Sequence, residues 1–219
     1  MVAGMDDQIT RNATPRPETL SRLSAVVGAR YAFVEPTDMA PYLRELRDKF
    51  HGKAAMVLRP SSTEEVSAIT AIACETGTAL VPQGGNTGLV GGQIPYEHGR
   101  EIVVSLDRMK NIRAVDAVDN SIVVDAGVTL QQVQDAAANV DRLFPLSLAS
   151  QGSCSIGGNL ATNAGGIGVL AYGNARQLCL GLEVVLADGR IWNGLRRLHK
   201  DNTGYDLKDI FIGSEGTLG

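Results

Sequence analysis

The spacing of apolar residues in the first third of the chain predicts alternating helices and strands. Glu18 to Gly28 carries its apolar side chains on one helical face, and Pro41 to Phe50 is also predicted to be helical. The apolar run Ala55 to Leu58 predicts a strand. A further helix, capped at Ser61, Ser62 or Thr63, should end at Gly77 because glycine favours the end of a helix.

Thr78 to Val81 predicts a second strand after this helix. A strand, a helix and a strand in sequence imply parallel pairing through a right-handed crossover. The second strand leads directly into the glycine loop Pro82 to Gly88, which is a ligand-binding position. Glu101 to Leu106 predicts another buried strand, and a hairpin turning at Asp119 and Asn120 is predicted to continue the sheet.

The second half of the chain changes character after Ser150. Thr129 to Val140 predicts an amphipathic helix with Thr129 as its cap. A glycine-rich segment follows, and a hairpin is predicted at Ala187-Asp188-Gly189. The change of pattern predicts that a second subdomain begins near residue 150.

Composition narrows the classes of function. The 219 residues carry a net charge of -4, which gives no basic field for a nucleic-acid partner. Three cysteines without a C-x-x-C pair argue against a disulfide framework, and three widely separated histidines give no metal-site pattern. The odd cysteine count favours a reducing, cytoplasmic setting, and the N-terminus lacks a signal-peptide core, so a flexible leader is predicted.

Eleven of the 25 glycines fall in two windows, Gly84 to Gly92 and Gly152 to Gly168. Glycine lets a backbone approach a ligand closely, and exposed N–H groups can form nests that bind anions. Neither window contains lysine, arginine or histidine, so a phosphate would be held by backbone amides, by the start of a helix from Ile156 to Asn163, and by neutral side chains. Those side chains are Asn86, Thr87, Ser153, Asn159, Thr162 and Asn163.

Two alternatives stay open for these windows. The glycines could serve only tight turns, or they could bind a phosphate ligand such as ADP or a sugar phosphate. The sequence has no G-x-G-x-x-G motif, no P-loop lysine and no G-x-S-x-G elbow, so common nucleotide-binding and hydrolase fingerprints are absent. Cys154 is interpreted as a packed residue rather than a nucleophile.

Four motifs in order carry a resemblance to a known family. They are Pro82-Gln83-Gly84-Gly85-Asn86-Thr87-Gly88, the glycine segment from Gly152 to Gly166, Asp201-Asn202-Thr203-Gly204-Tyr205-Asp206-Leu207, and Gly213-Ser214-Glu215-Gly216-Thr217-Leu218-Gly219. Together they resemble FAD-linked 2-hydroxy-acid oxidoreductases of the vanillyl-alcohol-oxidase type, which include D-lactate dehydrogenases, D-2-hydroxyglutarate dehydrogenases and the flavin subunit of glycolate oxidase.

The resemblance implies an α+β fold, a PCMH-type FAD-binding domain of two α/β subdomains with FAD between them. Residues 1–54 would be a helical leader and residues 55–219 the FAD-binding domain, with the substrate domain absent. FAD is expected to be non-covalent because the first loop offers no histidine. The residues implied to bind it are Pro82, Gln83, Gly84, Gly85, Asn86, Thr87, Gly88, Gly152, Ser153, Cys154, Ile156, Gly157, Gly158, Asn159, Thr162, Asn163, Gly165, Gly166, Glu215, Gly216 and Gly219.

The activity implied is oxidation of D-lactate, glycolate or D-2-hydroxyglutarate to the 2-oxo acid, with hydride transfer to FAD. In similar proteins the base, the carboxylate-binding arginines and a metal site follow the Gly-Thr-Leu-Gly motif, so no catalytic or metal residue is assigned here. The alternative is a flavin-binding module that is inactive by itself. The electron acceptor is expected to be a quinone or an electron-transfer protein, and peripheral membrane association and a homo-oligomer stay open.

Overall fold

The computed structural model describes residues 14–219, which form two compact units. The first unit contains the chain up to Arg108 together with residues 185–191, and the second contains residues 109–184 and 192–219. The division therefore falls after Arg108, and the predicted boundary near residue 150 is wrong. The helical part of the predicted leader from Pro17 onward belongs to the first unit, while residues 1–13 lie outside the described residues.

The first unit is built on a four-stranded sheet. Its strands are β1 (Ala32–Phe33), β2 (Met56–Leu58), β3 (Leu80–Gln83) and β4 (Ile102–Ser105), and its helices are α1 (Pro17–Val27), α2 (Pro36–Met39) and α3 (Thr63–Thr76). The strand order is β1-β2-β4-β3, with β2 and β3 both parallel to β4 and β1 antiparallel to β2. The parallel direction was predicted correctly, but β4 lies between the two strands that the sequence pattern suggested would pair.

Both faces of this sheet are covered, which explains why β4 is buried along its whole length. Leu23 of α1 and Ile69 of α3 pack on one face together with Leu58 and Ile102, and all four side chains are fully buried. Helix α3 begins as predicted, because the Ser62 side chain accepts a hydrogen bond from the first turn. The same helix ends at a left-handed glycine, as the sequence predicted.

The helix predicted from Pro41 to Phe50 is absent. Only one 3-10 turn, Ala40–Tyr42, forms there. The Glu45 carboxylate accepts hydrogen bonds from the backbone N–H groups of Arg47 and Lys49 at 2.5 and 2.6 Å. Asp48 has a φ of +58°, which an α-helix does not allow. Glu45 therefore closes a turn by competing with the helix for backbone donors.

The second unit contains short elements joined by long loops. They are β5 (Ile112–Asp116), β6 (Ser121–Val124), α4 (Leu130–Ala138), α5 (Ile156–Ala161), α6 (Val169–Tyr172), α7 (Ala175–Leu178), β7 (Leu182–Val185), β8 (Ile191–Gly194) and α8 (Lys208–Phe211). Strands β5 and β6 form the predicted hairpin, but as a sheet of their own rather than a continuation of the first sheet. Strands β7 and β8 form the second predicted hairpin, whose turn clusters with the first unit.

The glycine-rich segment belongs with the chain that precedes it. The N–H of Leu130 donates to the carbonyl of Cys154 at 3.1 Å, and the N–H of Ile156 donates to the carbonyl of Val128 at 2.9 Å. Leu130 and Cys154 also share a buried apolar cluster with Leu146. These long-range contacts place residues 109–150 and the glycine segment in one unit, and no local composition pattern reveals them.

A buried carboxylate anchors the β5–β6 hairpin. The Asp125 side chain is 4% exposed and accepts a hydrogen bond from Arg113 Nε at 2.6 Å. It also accepts from the backbone N–H and the side-chain amide of Asn111, at 3.1 and 2.8 Å. Arg113 makes a second ion pair with Glu183 on β7 at 3.2 Å. One arginine therefore neutralises a buried charge and joins two hairpins of the second unit.

Cys74 and Cys179 are expected to differ sharply in reactivity. Cys74 is exposed, whereas burial raises the pKa of Cys179 to about 11. The thiolate is the reactive form, so the raised pKa of Cys179 suppresses its alkylation at pH 8. Alkylation of Cys179 should become fast only as the pH approaches 11. We expect iodoacetamide at pH 8 to label Cys74 at least about tenfold faster than Cys179, measured by peptide mass spectrometry. Equal rates at pH 8 would contradict this assignment.

No helix among residues 14–219 is both long and apolar enough to cross a membrane.

Candidate cofactor site

Of the predicted motif Pro82 to Gly88, Pro82 and Gln83 form the end of β3, and the loop Gly84 to Gly88 follows at the carboxyl end of the parallel pair β3–β4. Asn86 has a φ of +53°, so the backbone turns in the left-handed region at that residue. None of the five backbone N–H groups from Gly84 to Gly88 has a protein acceptor within residues 14–219. Successive unpaired N–H groups around a left-handed residue form an anion-binding nest. The predicted role of this loop therefore fits its backbone.

The side chain of Asn86 has a different role from the predicted one. Its amide nitrogen donates to the carbonyls of Pro41 and Arg44 at 3.2 and 2.9 Å. Both of its N–H groups are thereby used within the protein, and Asn86 shapes the loop instead of presenting its side chain to a phosphate. Thr87, in contrast, keeps a hydroxyl without a protein partner in the described part of the chain.

The glycine segment of the second unit forms helix α5, as predicted, but its helix start is not a free anion site. The N–H groups of Ile156 and Gly157 donate to the carbonyls of Val128 and Ala126 at 2.9 and 2.8 Å, and that of Gly158 donates to Ser155 Oγ at 3.3 Å. Protein acceptors therefore occupy the first turn. Anion binding by this helix start, expected from the sequence, is not supported by the geometry.

Gly157 has a packing role. A Cβ at this residue would lie 2.8 Å from the Cβ of Ala126 and 3.0 Å from its carbonyl oxygen. The first contact is shorter than real Cβ atoms tolerate and the second is unusually tight, so the close approach of α5 to Ala126 requires glycine. Gly152 differs, because a Cβ there would meet nothing within 4 Å. Packing therefore requires glycine at Gly157 but not at Gly152.

Asn159 provides the strongest indication of a ligand in this segment. The residue is 5% exposed, and its amide nitrogen is buried without a hydrogen-bond partner among the described residues. In the first unit, Ser105 Oγ at the end of β4 is likewise buried and unpaired. An unsatisfied buried polar group costs about 1–3 kcal/mol, so both groups are suited to a ligand that supplies partners. FAD carries phosphate, hydroxyl and carbonyl groups, and these residues fit it.

The other neutral side chains of the segment are partly used by the protein. Thr162 Oγ1 donates to the carbonyl of Gly158 at 3.0 Å, and Asn163 Oδ1 accepts from the N–H of Arg176 at 3.0 Å. The Ser153 hydroxyl has no protein partner within residues 14–219. Direct ligand contact is therefore expected from Ser153 and Asn159 more than from Thr162 and Asn163.

The last predicted motif meets the end of α5 within the second unit. The N–H groups of Gly213 and Glu215 donate to the carbonyls of Leu160 and Ala161 at 3.0 and 2.9 Å. Glu215 has a φ of +54° and an exposed side chain. The structure thus brings two of the three predicted cofactor segments together, whereas Pro82 to Gly88 belongs to the first unit.

Arg176 was not identified from the sequence, although it holds this arrangement together. Its two terminal nitrogens donate to the carbonyls of Asp209 and Ile212 at 2.8 and 2.6 Å, and it pairs with the Asp209 carboxylate at 3.2 Å. Arg176 is the first charged residue after the charge-free stretch Leu143 to Ala175, but no local pattern indicates its partners.

The fold and the two glycine segments define a flavin-binding domain. The family model described as "FAD binding domain" matches residues 54–194. The chain belongs to this FAD-binding family. FAD is therefore its cofactor, and the predicted α+β class of PCMH-type FAD-binding domain is confirmed.

Comparison with curated proteins finds a mitochondrial D-2-hydroxyglutarate dehydrogenase of Danio rerio, 49% identical over 77% of this chain and 31% of that protein. A D-2-hydroxyglutarate–pyruvate transhydrogenase of Saccharomyces cerevisiae is 43% identical over 84% of this chain and 37% of that protein. The chain thus spans about a third of the length of these relatives.

Among solved structures, an alkyldihydroxyacetonephosphate synthase superposes with a TM-score of 0.81 at 21% identity. The match covers 94% of this chain and 38% of the synthase. At this level of identity the likeness demonstrates the fold alone.

Proposed function

We propose that this chain is the FAD-binding part of an oxidoreductase that oxidises a D-2-hydroxy acid to the 2-oxo acid, with D-2-hydroxyglutarate as the substrate. The observation that carries the proposal is the 49% identity to a D-2-hydroxyglutarate dehydrogenase, since the 168 matched residues make up most of the chain. D-Lactate and glycolate, which the sequence left as alternatives, are tested beside it.

In the proposed reaction, bound FAD supplies the hydride acceptor. The chain contributes binding and orientation. The N–H groups of the loop Gly84 to Gly88 bind an anionic group, and the buried amide nitrogen of Asn159 donates to a cofactor acceptor. Neither glycine segment, 84–92 or 152–168, contains a side chain suited to act as a general base. Proton transfer therefore requires residues outside these segments.

Flavin retention is the first test. The purified chain is incubated with FAD, desalted, and its absorption spectrum is recorded. We expect the flavin bands to remain with the protein. Acid precipitation should then release all flavin into the supernatant, because the loop Pro82 to Gly88 has no histidine or cysteine to form a covalent bond. A folded chain that retains no flavin would argue against the proposal, and flavin remaining in the pellet would argue against non-covalent binding.

Substrate oxidation is the second test. The FAD-loaded chain is mixed without oxygen with D-2-hydroxyglutarate, D-lactate or glycolate, and with L-2-hydroxyglutarate and L-lactate as controls. Loss of the flavin absorption band with D-2-hydroxyglutarate alone would support the proposed substrate. Retained FAD without bleaching would instead select the second candidate, a flavin-binding module inactive by itself, which the short span of the chain relative to its relatives favours.

The remaining expectations about the cell are also proposals. We propose a quinone or an electron-transfer protein as electron acceptor and the cytoplasm as location. Peripheral membrane association and a homo-oligomer stay open as well. Cell fractionation tests the first, and size-exclusion chromatography tests the second.

A further inference from the structure

Three side-chain amides surround the glycine loop of the first unit, and all six of their N–H groups are donated. Gln83 donates to the carbonyls of Tyr42 and Gln93 at 3.0 and 2.9 Å. Asn86 donates to Pro41 and Arg44 as described above. Gln93 donates to Asn86 Oδ1 at 3.2 Å and to the carbonyl of Gly88 at 2.8 Å. Backbone carbonyls only accept, so they fix the orientation of each amide.

Gln93 fills the inside of the loop. A Cβ at Gly88 would lie 2.6 Å from Gln93 Oε1 and 3.1 Å from its Cδ. The amide of Gln93 therefore packs against the Gly88 backbone while its two N–H groups bind the loop at Asn86 and at Gly88. Gln93 connects both sides of the left-handed turn whose backbone N–H groups are unpaired.

The loop is also attached to a segment some forty residues earlier, Pro41 to Arg44, which we call the strap. Three strap carbonyls accept hydrogen bonds from Gln83 and Asn86. The Tyr42 hydroxyl donates to the Asp107 carboxylate at 3.2 Å, and Arg59 Nε donates to the same carboxylate at 2.9 Å. Burial raises the pKa of Tyr42 to about 12, so it remains a protonated donor near neutral pH.

We propose that Gln93 is a positioning residue for FAD and that the strap belongs to the same cooperative unit as the glycine loop. The six hydrogen bonds hold the loop in its nest conformation before the cofactor arrives. FAD then binds without the entropic cost of ordering the loop. By linkage, FAD binding in turn stabilises the strap, although no strap residue need touch the cofactor.

The first experiment compares Gln93→Met with the native chain. Methionine has nearly the same volume as glutamine but no N–H donor, and the change leaves Asn86 Oδ1 and the Gly88 carbonyl without their partner. We expect the FAD dissociation constant, measured by flavin fluorescence, to rise about tenfold or more. Gln93→Glu, which also lacks a donor, should bind equally poorly, and normal binding by Gln93→Glu would overturn the donor role.

Gln134→Met is the matched control, because the Gln134 amide donates to the carbonyl of Leu146 at 2.8 Å in the second unit. We expect this variant to keep the native FAD affinity. The melting temperatures of the FAD-free variants separate positioning from stability. If Gln93→Met and Gln134→Met lose melting temperature alike and FAD affinity changes in neither, Gln93 has only a structural role.

Hydrogen exchange of the unmodified chain tests the strap without any variant. FAD should slow exchange in peptides that cover Gly84 to Gly92 and also in those that cover the strap and the turn after it, residues 41–52, while α1 stays unchanged. Protection of the loop alone would overturn the coupling to the strap. No protection anywhere would signal a failure of FAD binding itself, so the two failures are distinguishable.

Discussion

Gly166→Ala is expected to lower the free energy of unfolding by about 3 kcal/mol or more and to abolish FAD retention. Gly166 has a φ of +129°, a conformation that L side chains rarely adopt. A Cβ there would also overlap the carbonyl oxygen of Ser147, which accepts a hydrogen bond from Ile167. Backbone strain and steric overlap act together. Urea unfolding monitored by circular dichroism measures their combined effect on the free energy of unfolding.

Gly152→Ala is the matched control for this prediction. It makes the same change in the same segment, but Gly152 has no positive φ and open space where the Cβ would lie. Its stability should stay within about 0.5 kcal/mol of the native chain. A loss of FAD affinity without a loss of stability would show that the cofactor approaches Gly152 closely. Equal destabilisation by both substitutions would refute the distinction between the two glycines.

Arg113→Met is expected to destabilise the chain by about 3 kcal/mol. Arg113 is the cation that neutralises the buried Asp125 carboxylate, and the substitution leaves this charge with only the neutral donors of Asn111. Removing one partner of a buried pair is costly because the other charge stays desolvated. Thermal and urea unfolding provide the measurement.

Arg190→Met removes an arginine of a different kind. Arg190 pairs with Asp188, and its side chain is 77% exposed. Solvent screens such a pair, so the change in unfolding free energy should be below about 1 kcal/mol. Similar losses from Arg113→Met and Arg190→Met would show that burial of Asp125 does not determine the effect.

Elements defined by local signals could be predicted from the sequence. Helix α3 has a serine cap and a terminal glycine, and α4 begins at a capping box formed by Thr129 and Gln132. The helix predicted after Pro41 does not form, because the Glu45 carboxylate binds backbone N–H groups that a helix would need. Apolar spacing carries no information about that competition.

The sequence predicted the cofactor segments from their glycines, and their contacts with FAD stay a prediction, whereas the hydrogen bonds of their side chains could not be predicted. Glycine clustering directly reports close approach and unusual φ values. What Asn86 binds depends on carbonyls at residues 41 and 44, which only the fold brings near it. The roles of Gln93 and Arg176 could not be predicted for the same reason, since tertiary contacts determine their partners.

The turn of the β7–β8 hairpin has a consequence for folding during synthesis. Residues 185–191 complete the first unit, where Ser67 Oγ donates to the carbonyl of Gly189 at 2.5 Å. A ribosome adding about 5–20 residues per second needs roughly 4–15 s to make residues 109–184 in between. During that time the nascent first unit lacks residues 185–191. The surface of α3 that contacts Gly189 in the folded unit is then open to chaperones.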